Sequence, residues 1–290
     1  MAVDTRFLQS FVAVVEHGSV AEAGRRLNLT SAGVAQRVRA LEVELGASLV
    51  KRVGRHVHPT DAGMAVFEHA GKVLQSIRDL ANVATVDRLA GELRLGAVST
   101  ALTGILPAIL RRITTQHPNF SVYVAPGTSV DLYKRVVDGE LDAAILVEPP
   151  FRLLKTCGWH LMRREPLTLI GPDGLDVSDP VHVLTTQPFI RYDRNHWGGR
   201  LGDEYLRAIT VKPQERFELD ALEAIAVMVD QGLGVSLVPD WAPPWHEGLK
   251  LSKRVISQSN YVRNIGLIWT RSSGRVPLIE AFLRQAEAQP

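Results

Sequence analysis

Apolar residues recur at helical spacing in three short segments of the first sixty residues. The first segment, residues 7–15, has apolar positions three or four residues apart, which predicts an amphipathic helix. Ser19 is a favourable N-cap for a second, shorter helix, and Thr30 or Ser31 caps a third helix that Gly46 ends. The tight turn between the second and third helices predicts a helix-turn-helix.

The third helix and the segment after it carry polar residues suited to reading a nucleic acid. Small residues at the start of the helix would let its backbone approach a groove, while glutamine can bond base edges and arginine can contact guanine or phosphate. Alternating residues around Gly54 predict a basic hairpin, or wing, beside the groove. The alternative is a three-helix protein-docking module with a solvated basic face. The DNA-binding candidates are Thr30, Ser31, Ala32, Ala35, Gln36, Arg37, Arg39, Arg52, Arg55 and His56.

A heptad pattern follows the predicted wing. Thr60 caps a helix that the pattern extends to about Leu89, and apolar residues recur along it at alternating spacings of three and four. A long isolated helix cannot bury such a seam against itself, so the pattern predicts a homodimer that reads two half-sites of an approximately palindromic DNA site. The alternative is that the seam packs on the chain's own C-terminal domain. The dimerisation candidates are Phe67, Ala70, Leu74, Ile77, Ala81 and Ala84.

Beyond Gly91, short apolar segments alternate with amphipathic ones. Predicted strands at 93–98, 120–124 and 143–147 are separated by predicted helices at 104–116 and 131–138, and this βαβαβ order is typical of a parallel sheet. Together with the helical N-terminal segment and the long helix, this alternating region makes the predicted fold class α+β and multidomain. A second group of predicted elements has strands at 167–170, 189–192, 216–219, 235–238 and 262–269 and helices at 222–229 and 276–286.

The charge distribution singles out the N-terminal segment. The chain of 290 residues has a net charge of +2, but residues 1–60 hold eight Lys/Arg against five Asp/Glu, a net charge of +3 that leaves −1 for the remainder. A basic excess in a small domain is compatible with phosphate binding, and a solvated helix face would have the same composition. A single cysteine, Cys157, excludes an intramolecular disulfide. The lack of a bilayer-length apolar run or a secretory signal predicts a cytoplasmic protein with no membrane partner.

Several motifs resemble the LysR-type transcriptional regulators in order and spacing. The resemblance begins with FVAVVEHGSV at 11–20, RALE at 39–42, ELG at 44–46 and TDAG at 60–63, and continues with GELRLG at 91–96, DGELDAA at 138–144 and GLGV at 232–235. It implies a winged helix-turn-helix at 1–60, a dimerisation helix at 61–90 and an effector-binding domain at 91–290. That domain would resemble periplasmic binding proteins, with one subdomain at about 92–163 and 264–290 and another at about 164–263. The resemblance also implies tetramers, and RNA polymerase is a further candidate partner.

Hydroxyl residues follow the first two predicted strands of the C-terminal domain. In open α/β sheets, ligands bind beyond the carboxyl ends of the strands, where hydroxyls and helix-start N–H groups suit a small anion. Arginine and histidine after the strand at 189–192 could neutralise that anion, and a tryptophan could stack on a ring. Plain N-capping and a polar surface loop are the alternatives. The effector-binding candidates are Ser99, Thr100, Thr128, Ser129, Glu148, Arg191, His196, Trp197, Asp220 and Gly234.

The sequence lacks the common catalytic motifs. It contains no G-x-S-x-G, G-x-x-x-x-G-K-[ST] or H-E-x-x-H, and its nine histidines are dispersed without metal-ligand spacing, so we expect no enzyme activity, metal or cofactor. The sequence predicts a transcription factor that binds promoter DNA and responds to a small-molecule, anionic effector. The alternatives are a solute-binding protein with a vestigial head and an enzyme with an appended regulatory head.

Overall fold

The computed structural model describes residues 3–53, 56–83, 91–245, 248–256 and 260–287, without the side chains at 72, 75, 76 and 78–83. The chain falls into two compact units, one up to residue 85 and one that holds nearly all of the remainder. Within the described residues, every helix is too short or too polar to span a lipid bilayer.

Three helices form the predicted helix-turn-helix at the start of the chain, which confirms that part of the fold: α1 (Thr5–His17), α2 (Val20–Arg26) and α3 (Ser31–Leu45). Each helix begins after a residue whose side-chain oxygen accepts a backbone N–H, namely Asp4, Ser19 and Thr30. Gly18 and Gly46 end α1 and α3 with φ of 61° and 67°, a conformation that glycine adopts without strain.

A two-stranded hairpin follows α3. Its strands, β1 (Val50–Val53) and β2 (His56–Pro59), pair antiparallel, which confirms the predicted wing. The tip at 54–55 lies outside the described residues. The Val57 N–H donates to the carbonyl oxygen of Gly18 at 2.9 Å, so the hairpin is tied to the end of α1.

Helix α4 (Asp61–Val83) follows the wing. The Thr60 hydroxyl accepts from the Gly63 N–H at 3.0 Å, as expected for the predicted N-cap. A Cβ at Gly63 would lie 1.9 Å from the carbonyl oxygen of Leu49, so this close approach requires glycine. The predicted continuation of the helix beyond Val83 lies outside the described residues.

The C-terminal unit begins with alternating strands and helices. These are β3 (Gly91–Ala97), α5 (Ser99–Gly104), α6 (Leu106–Gln116), β4 (Phe120–Pro126), α7 (Ser129–Val137) and β5 (Ala143–Val147). Strand β3 pairs in parallel with β4 and β5, which confirms the predicted βαβαβ order. The helix predicted from residue 104 is instead α6, and α5 precedes it. Pro107 has no N–H to continue α5, and a Cβ at Gly104 would lie 2.3 Å from the carbonyl oxygen of Ala242.

The remaining elements are β6 (Cys157–Pro172), α8 (Pro180–Thr186), β7 (Pro188–Tyr192), α9 (Arg200–Ala208), β8 (Gln214–Leu219), α10 (Leu222–Asp230), β9 (Ser236–Pro239), β10 (Leu251–Val255), β11 (Val262–Thr270) and α11 (Val276–Glu287). The large sheet has the order β10-β6-β11-β5-β3-β4, with β9 also on β6, while β7 and β8 form a separate parallel pair. Strand β11 is antiparallel to β5 and β6, so the sheet is mixed. The strand predicted at 167–170 is the last part of β6.

Several buried clusters form the core of the C-terminal unit among the described residues. The largest packs β3, β5 and β11 against α6 and α11, with Leu95, Ile145 and Phe282 fully buried. Two others, around Phe189 and around Trp241, surround the small β7–β8 sheet and the end of β6. The division into two subdomains near residues 163 and 264 stays a prediction.

Candidate functional site

The predicted reading face of α3 lies on the protein surface. The helix buries Val34, Val38 and Leu41, so its other side is turned away from the core. Of the candidates there, Ala35 and Arg37 are half-buried, and the exposed ones are Thr30, Ser31, Ala32, Gln36 and Arg39.

Basic residues of the head are concentrated on α3 and the wing. Arg52 and His56 are exposed on the hairpin, whereas Arg55 lies outside the described residues. Other arginines of the head already have carboxylate partners: Arg6 pairs with Asp4 at 2.7 Å, and Arg25 and Arg26 pair with Glu22. The other lysines and arginines described between 3 and 60 lie on α3 and on β1, where they are suited to phosphate contacts.

Helix α4 uses part of its predicted seam within its own head. Ala70 and Leu74 are buried and Phe67 is partly buried against the core that α1 and α3 form. Ile77 is half-buried, and the side chain of Ala81 and all of Ala84 lie outside the described residues. Beside the seam, an apolar groove of about 490 Å³ is lined by Val3, Leu8, Leu45, Ala65, Val66, His69, Ala70 and Val73.

A cavity of about 270 Å³ lies in the C-terminal unit. It sits beyond the carboxyl ends of β3, β4, β5, β7 and β8, the position where ligands bind in α/β proteins. Its lining residues include seven of the ten effector candidates: Ser99, Thr100, Thr128, Ser129, His196, Trp197 and Asp220.

A buried ion pair stands at one wall of this cavity. The Arg263 guanidinium, at the start of β11, donates from Nε and Nη2 to Glu165 Oε2 at 2.7 and 2.5 Å, and both side chains are nearly inaccessible to solvent. Its Nη2 also donates to the Thr100 hydroxyl at 3.2 Å. Arg163 Nε approaches the other oxygen of Glu165 at 3.5 Å. The carboxylate therefore holds Arg263 in a fixed position beside the cavity.

Two buried hydroxyls face the cavity with their protons available. Thr100 Oγ1 accepts from Arg263, and Ser129 Oγ accepts from the Val147 N–H at 3.1 Å. Within the described residues, neither hydroxyl donates to a protein acceptor. Thr128 is a cap of α7, since its Oγ1 accepts from the Asp131 N–H at 3.3 Å. Thr100 and Ser129 can thus each donate a hydrogen bond to an oxygen atom in the cavity.

Another part of the lining combines an acidic group with aromatic rings. His196 Nε2 lies 3.6 Å from Asp220 Oδ2 and 3.8 Å from Asp193 Oδ2. The Trp197 ring meets the rings of Tyr133 and Phe151 edge-on, with centroids 6.1 and 5.6 Å away, so Trp197 is held by an aromatic cluster.

Three effector candidates do not line the cavity. Glu148 is exposed and accepts from the Asn264 side-chain amide at 2.6 Å. Gly234 has a φ of 154°, and a Cβ there would lie 2.4 Å from the carbonyl oxygen of Pro188. Its conformation and this close approach give it a backbone role beside β7.

Arg191 is the third candidate outside the cavity. It is buried and donates to Asp203 and Glu215, while Arg194 pairs with Glu215 and Glu218. The hydrogen bond from Arg191 lowers the pKa of Glu215, and that from Arg194 lowers the pKa of Glu218. These guanidiniums are therefore neutralised by the protein itself.

Sequence reasoning missed two polar side chains that line the cavity, those of Arg263 and Tyr192. Burial raises the pKa of the Tyr192 phenol, and the nearby Arg263 guanidinium opposes that shift. A Cβ at Gly198 would lie 3.0 Å from Arg263 Cδ and 3.2 Å from the Tyr192 hydroxyl, so this glycine leaves room for both. An arginine near the start of a largely apolar strand was the signal that could have found Arg263.

Family comparisons cover both units. A profile described as "Bacterial regulatory helix-turn-helix protein, lysR family" matches residues 5–64, and one described as "LysR substrate binding domain" matches residues 87–290. The chain belongs to the LysR family of transcriptional regulators. This family consists of DNA-binding regulators with an effector-binding domain, not of enzymes, and the resemblance inferred from the sequence motifs is confirmed.

Curated relatives of this LysR-family chain extend over most of its length. It is 27% identical over 290 residues to the transcriptional regulator IlvR of Caulobacter vibrioides, covering 97% of each chain. It is 28% identical over 244 residues to the transcriptional regulator CzcR of Bacillus subtilis, covering 83% of this chain and 81% of the relative.

Solved structures share the fold of the whole chain. A full-length OxyR variant from Pseudomonas aeruginosa has a TM-score of 0.76 at 21% identity, covering 99% of this chain and 96% of that one. Full-length CbnR in complex with its target DNA has a TM-score of 0.66 at 21% identity, covering 98% and 99%. These likenesses support the predicted fold class, with a DNA-binding head and an α/β effector domain.

Proposed function

We propose that this LysR-family regulator binds promoter DNA as a homodimer or homotetramer, and that a small molecule in the C-terminal cavity changes that binding. The observation that carries the proposal is the exposed polar face of α3 beside a basic hairpin, in a chain that also has a cavity lined by buried hydroxyls. The function requires no catalytic step. The proposed protein acts in the cytoplasm on promoter DNA, and RNA polymerase is a further candidate partner.

The proposed DNA contacts divide into base reading and phosphate binding. Gln36 and Arg39 lie on the exposed side of α3, and both residue types can bond base edges in the major groove. Arg52 and His56 are exposed on the wing, from which they would reach the phosphates beside that groove.

The apolar groove of the head supports self-association. Val73, which lines the groove, is 47% exposed, and Met64 on the same helix is 45% exposed. A contiguous exposed apolar patch of this kind is typical of an interaction surface. A second copy of α4 would cover this surface, and two heads would then read two half-sites. The proposed interface therefore uses the flank of the heptad seam, because Ala70 and Leu74 of the seam are buried within the chain's own head.

Control by a ligand requires that the ligand bind two states of the oligomer with different affinities. By linkage, DNA must then change the affinity for the ligand by the same factor. Allosteric coupling between two sites is typically about 1–3 kcal/mol, or roughly 5–150-fold in affinity.

A salt titration of DNA binding tests the proposal residue by residue. We would measure the affinity of the full-length protein for the DNA upstream of its own gene, and for random DNA, from 50 to 300 mM salt. Gln36→Ala is expected to lose about 1–3 kcal/mol on the specific DNA only. Arg52→Ala is expected to weaken binding to both DNAs and to lower the salt slope by about 1.

The control for this titration is Arg207→Ala, which removes an exposed arginine of α9 in the C-terminal unit. It is expected to bind both DNAs like the wild type. If Gln36→Ala and Arg52→Ala also match the wild type, α3 and the wing do not form the DNA-binding surface.

A further inference from the structure

The charged residues around the cavity do not supply the net positive charge that a site for a simple anion needs. Among the described residues that line the cavity, Arg263 is the only lysine or arginine, and Glu165 already neutralises it. Asp220 adds a carboxylate to the lining, and its side chain is 58% exposed. Arg191 and Arg194, the cations that the sequence assigned to an anion, are bound by acids elsewhere.

One side of the cavity nevertheless suits a carboxylate. Thr100 and Ser129 are 3% and 6% exposed, and each can donate its hydroxyl proton into the cavity. The guanidinium of Arg263 donates to the Thr100 hydroxyl at 3.2 Å, which polarises that hydroxyl as a donor toward an oxygen atom in the cavity. A carboxylate has two oxygens and can accept from both hydroxyls.

The other side suits a cation. Asp220 lies on the loop between β8 and α10, on the wall that also holds His196. A carboxylate in the lining of a cavity attracts an ammonium group and repels a second carboxylate. A ligand with a single negative charge would therefore gain hydrogen bonds from the two hydroxyls but would be repelled by the Asp220 carboxylate.

Apolar side chains complete the lining. Val98, Leu102, Val147 and Leu222 line the cavity together with the Trp197 ring. These groups offer no hydrogen bonds beyond the indole N–H, so they suit the hydrocarbon part of a ligand. A ligand that fits all three sets of groups has a carboxylate, an ammonium and an apolar side chain.

We propose that the cavity binds a zwitterionic amino acid with an apolar side chain. Its carboxylate accepts from the hydroxyls of Thr100 and Ser129 beside Arg263, and its ammonium is bound by Asp220. This inference rests on the proposed function, since the amino acid would be the effector that changes promoter binding.

Calorimetry with matched probes tests the proposal. The full-length protein is titrated with the twenty L-amino acids, then with two sets of analogues: L-leucine, 4-methylpentanoate and 3-methylbutylamine, and L-phenylalanine, 3-phenylpropanoate and phenethylamine. We expect at least one apolar amino acid to bind, with its deaminated acid and its decarboxylated amine each binding at least tenfold more weakly.

Variants of single aspartates locate the ammonium site. Asp220→Asn should weaken binding of that amino acid at least tenfold while leaving binding of the deaminated acid unchanged or tighter. Asp173→Asn, which alters an exposed aspartate outside the cavity lining, should leave both affinities unchanged. Thermal unfolding of each variant confirms that it is folded before its affinity is compared.

Three results would overturn the proposal: binding of a deaminated acid as tightly as its amino acid, equal affinity of Asp220→Asn and wild type for the amino acid, or no binding by any amino acid. DNA binding is measured on the same preparations. Intact promoter binding with no amino-acid binding would refute this inference alone, whereas loss of promoter binding by the wild type would refute the proposed function.

Discussion

Removing the carboxylate of Glu165 is expected to destabilise the C-terminal unit more than removing the guanidinium of Arg263. Both side chains are almost completely buried, at 1% and 2% exposed, so neither charge has water to replace its partner. Loss of one member of a buried pair leaves the other uncompensated, at a cost of about 3–5 kcal/mol. For a domain of this size that cost corresponds to a fall in Tm of about 6–20 °C.

The order of the two effects follows from a third charge. Arg163 Nε lies 3.5 Å from Glu165, so Glu165→Gln leaves two neighbouring arginines without a carboxylate. Arg263→Met removes one guanidinium and leaves the carboxylate with Arg163, and its cost should be smaller. The double variant should recover part of the loss, because it removes both buried charges of the pair and leaves Arg163, whose side chain is 38% exposed, facing no carboxylate at residue 165.

The assay is unfolding of the full chain in urea, followed by far-UV circular dichroism, for the two single variants and the double variant. Asn264→Ala, a neighbour of Arg263 on β11 outside the pair, serves as a reference for disturbance of the strand. A loss below about 1 kcal/mol for Glu165→Gln would show that water or a rearranged partner reaches the buried charge. A larger loss for Arg263→Met than for Glu165→Gln would contradict the role given to Arg163.

Three further predictions concern residues outside the cavity. Arg191→Met should cost about 1–3 kcal/mol, because Asp203 loses its guanidinium partner while Glu215 keeps Arg194, and should leave ligand affinity unchanged in calorimetry. Since Arg191 lowers the pKa of Glu215, their contribution to stability is present above the usual carboxylate pKa and is lost as the pH falls, so acid unfolding curves of the variant should be flatter. Gly234→Ala should cost about 1–3 kcal/mol in urea unfolding, because its φ of 154° and a nearby carbonyl oxygen exclude a Cβ. Cys157 is buried and its thiol pKa is raised, so iodoacetamide at pH 7.5 should alkylate it only after unfolding, as followed by intact mass.

Elements with local signals were predicted well from the sequence. The bounds of α3 follow from Thr30, whose hydroxyl caps the first turn, and from Gly46, which takes a positive φ at its end. Both signals act within a few residues of the helix terminus, so no tertiary information is needed. The break between α5 and α6 was missed, because the close approach that requires Gly104 involves Ala242, far away in the sequence.

The candidate site divides in the same way. Hydroxyls after strand ends could be placed in the cavity, because parallel strands bring their carboxyl ends to one edge of a sheet. The Arg263–Glu165 pair could not be found, since its members are 98 residues apart and meet through the pairing of β11 with β6. Arg191 could not be separated from a ligand-binding arginine, because its partners Asp203 and Glu215 lie on other elements.

The measurement that tests the account most directly is selection of DNA fragments by the purified protein from the sheared genome of its source, followed by footprinting of the selected sites. The account predicts protection of sites with two related half-sites about one or more helical turns apart, roughly 10 bp per turn, one for each head of a dimer. The account also predicts that Gln36→Ala loses this selection and that Arg207→Ala retains it. Selection of fragments with no common sequence, or no protection at all, would contradict the claim that this chain is a sequence-specific regulator.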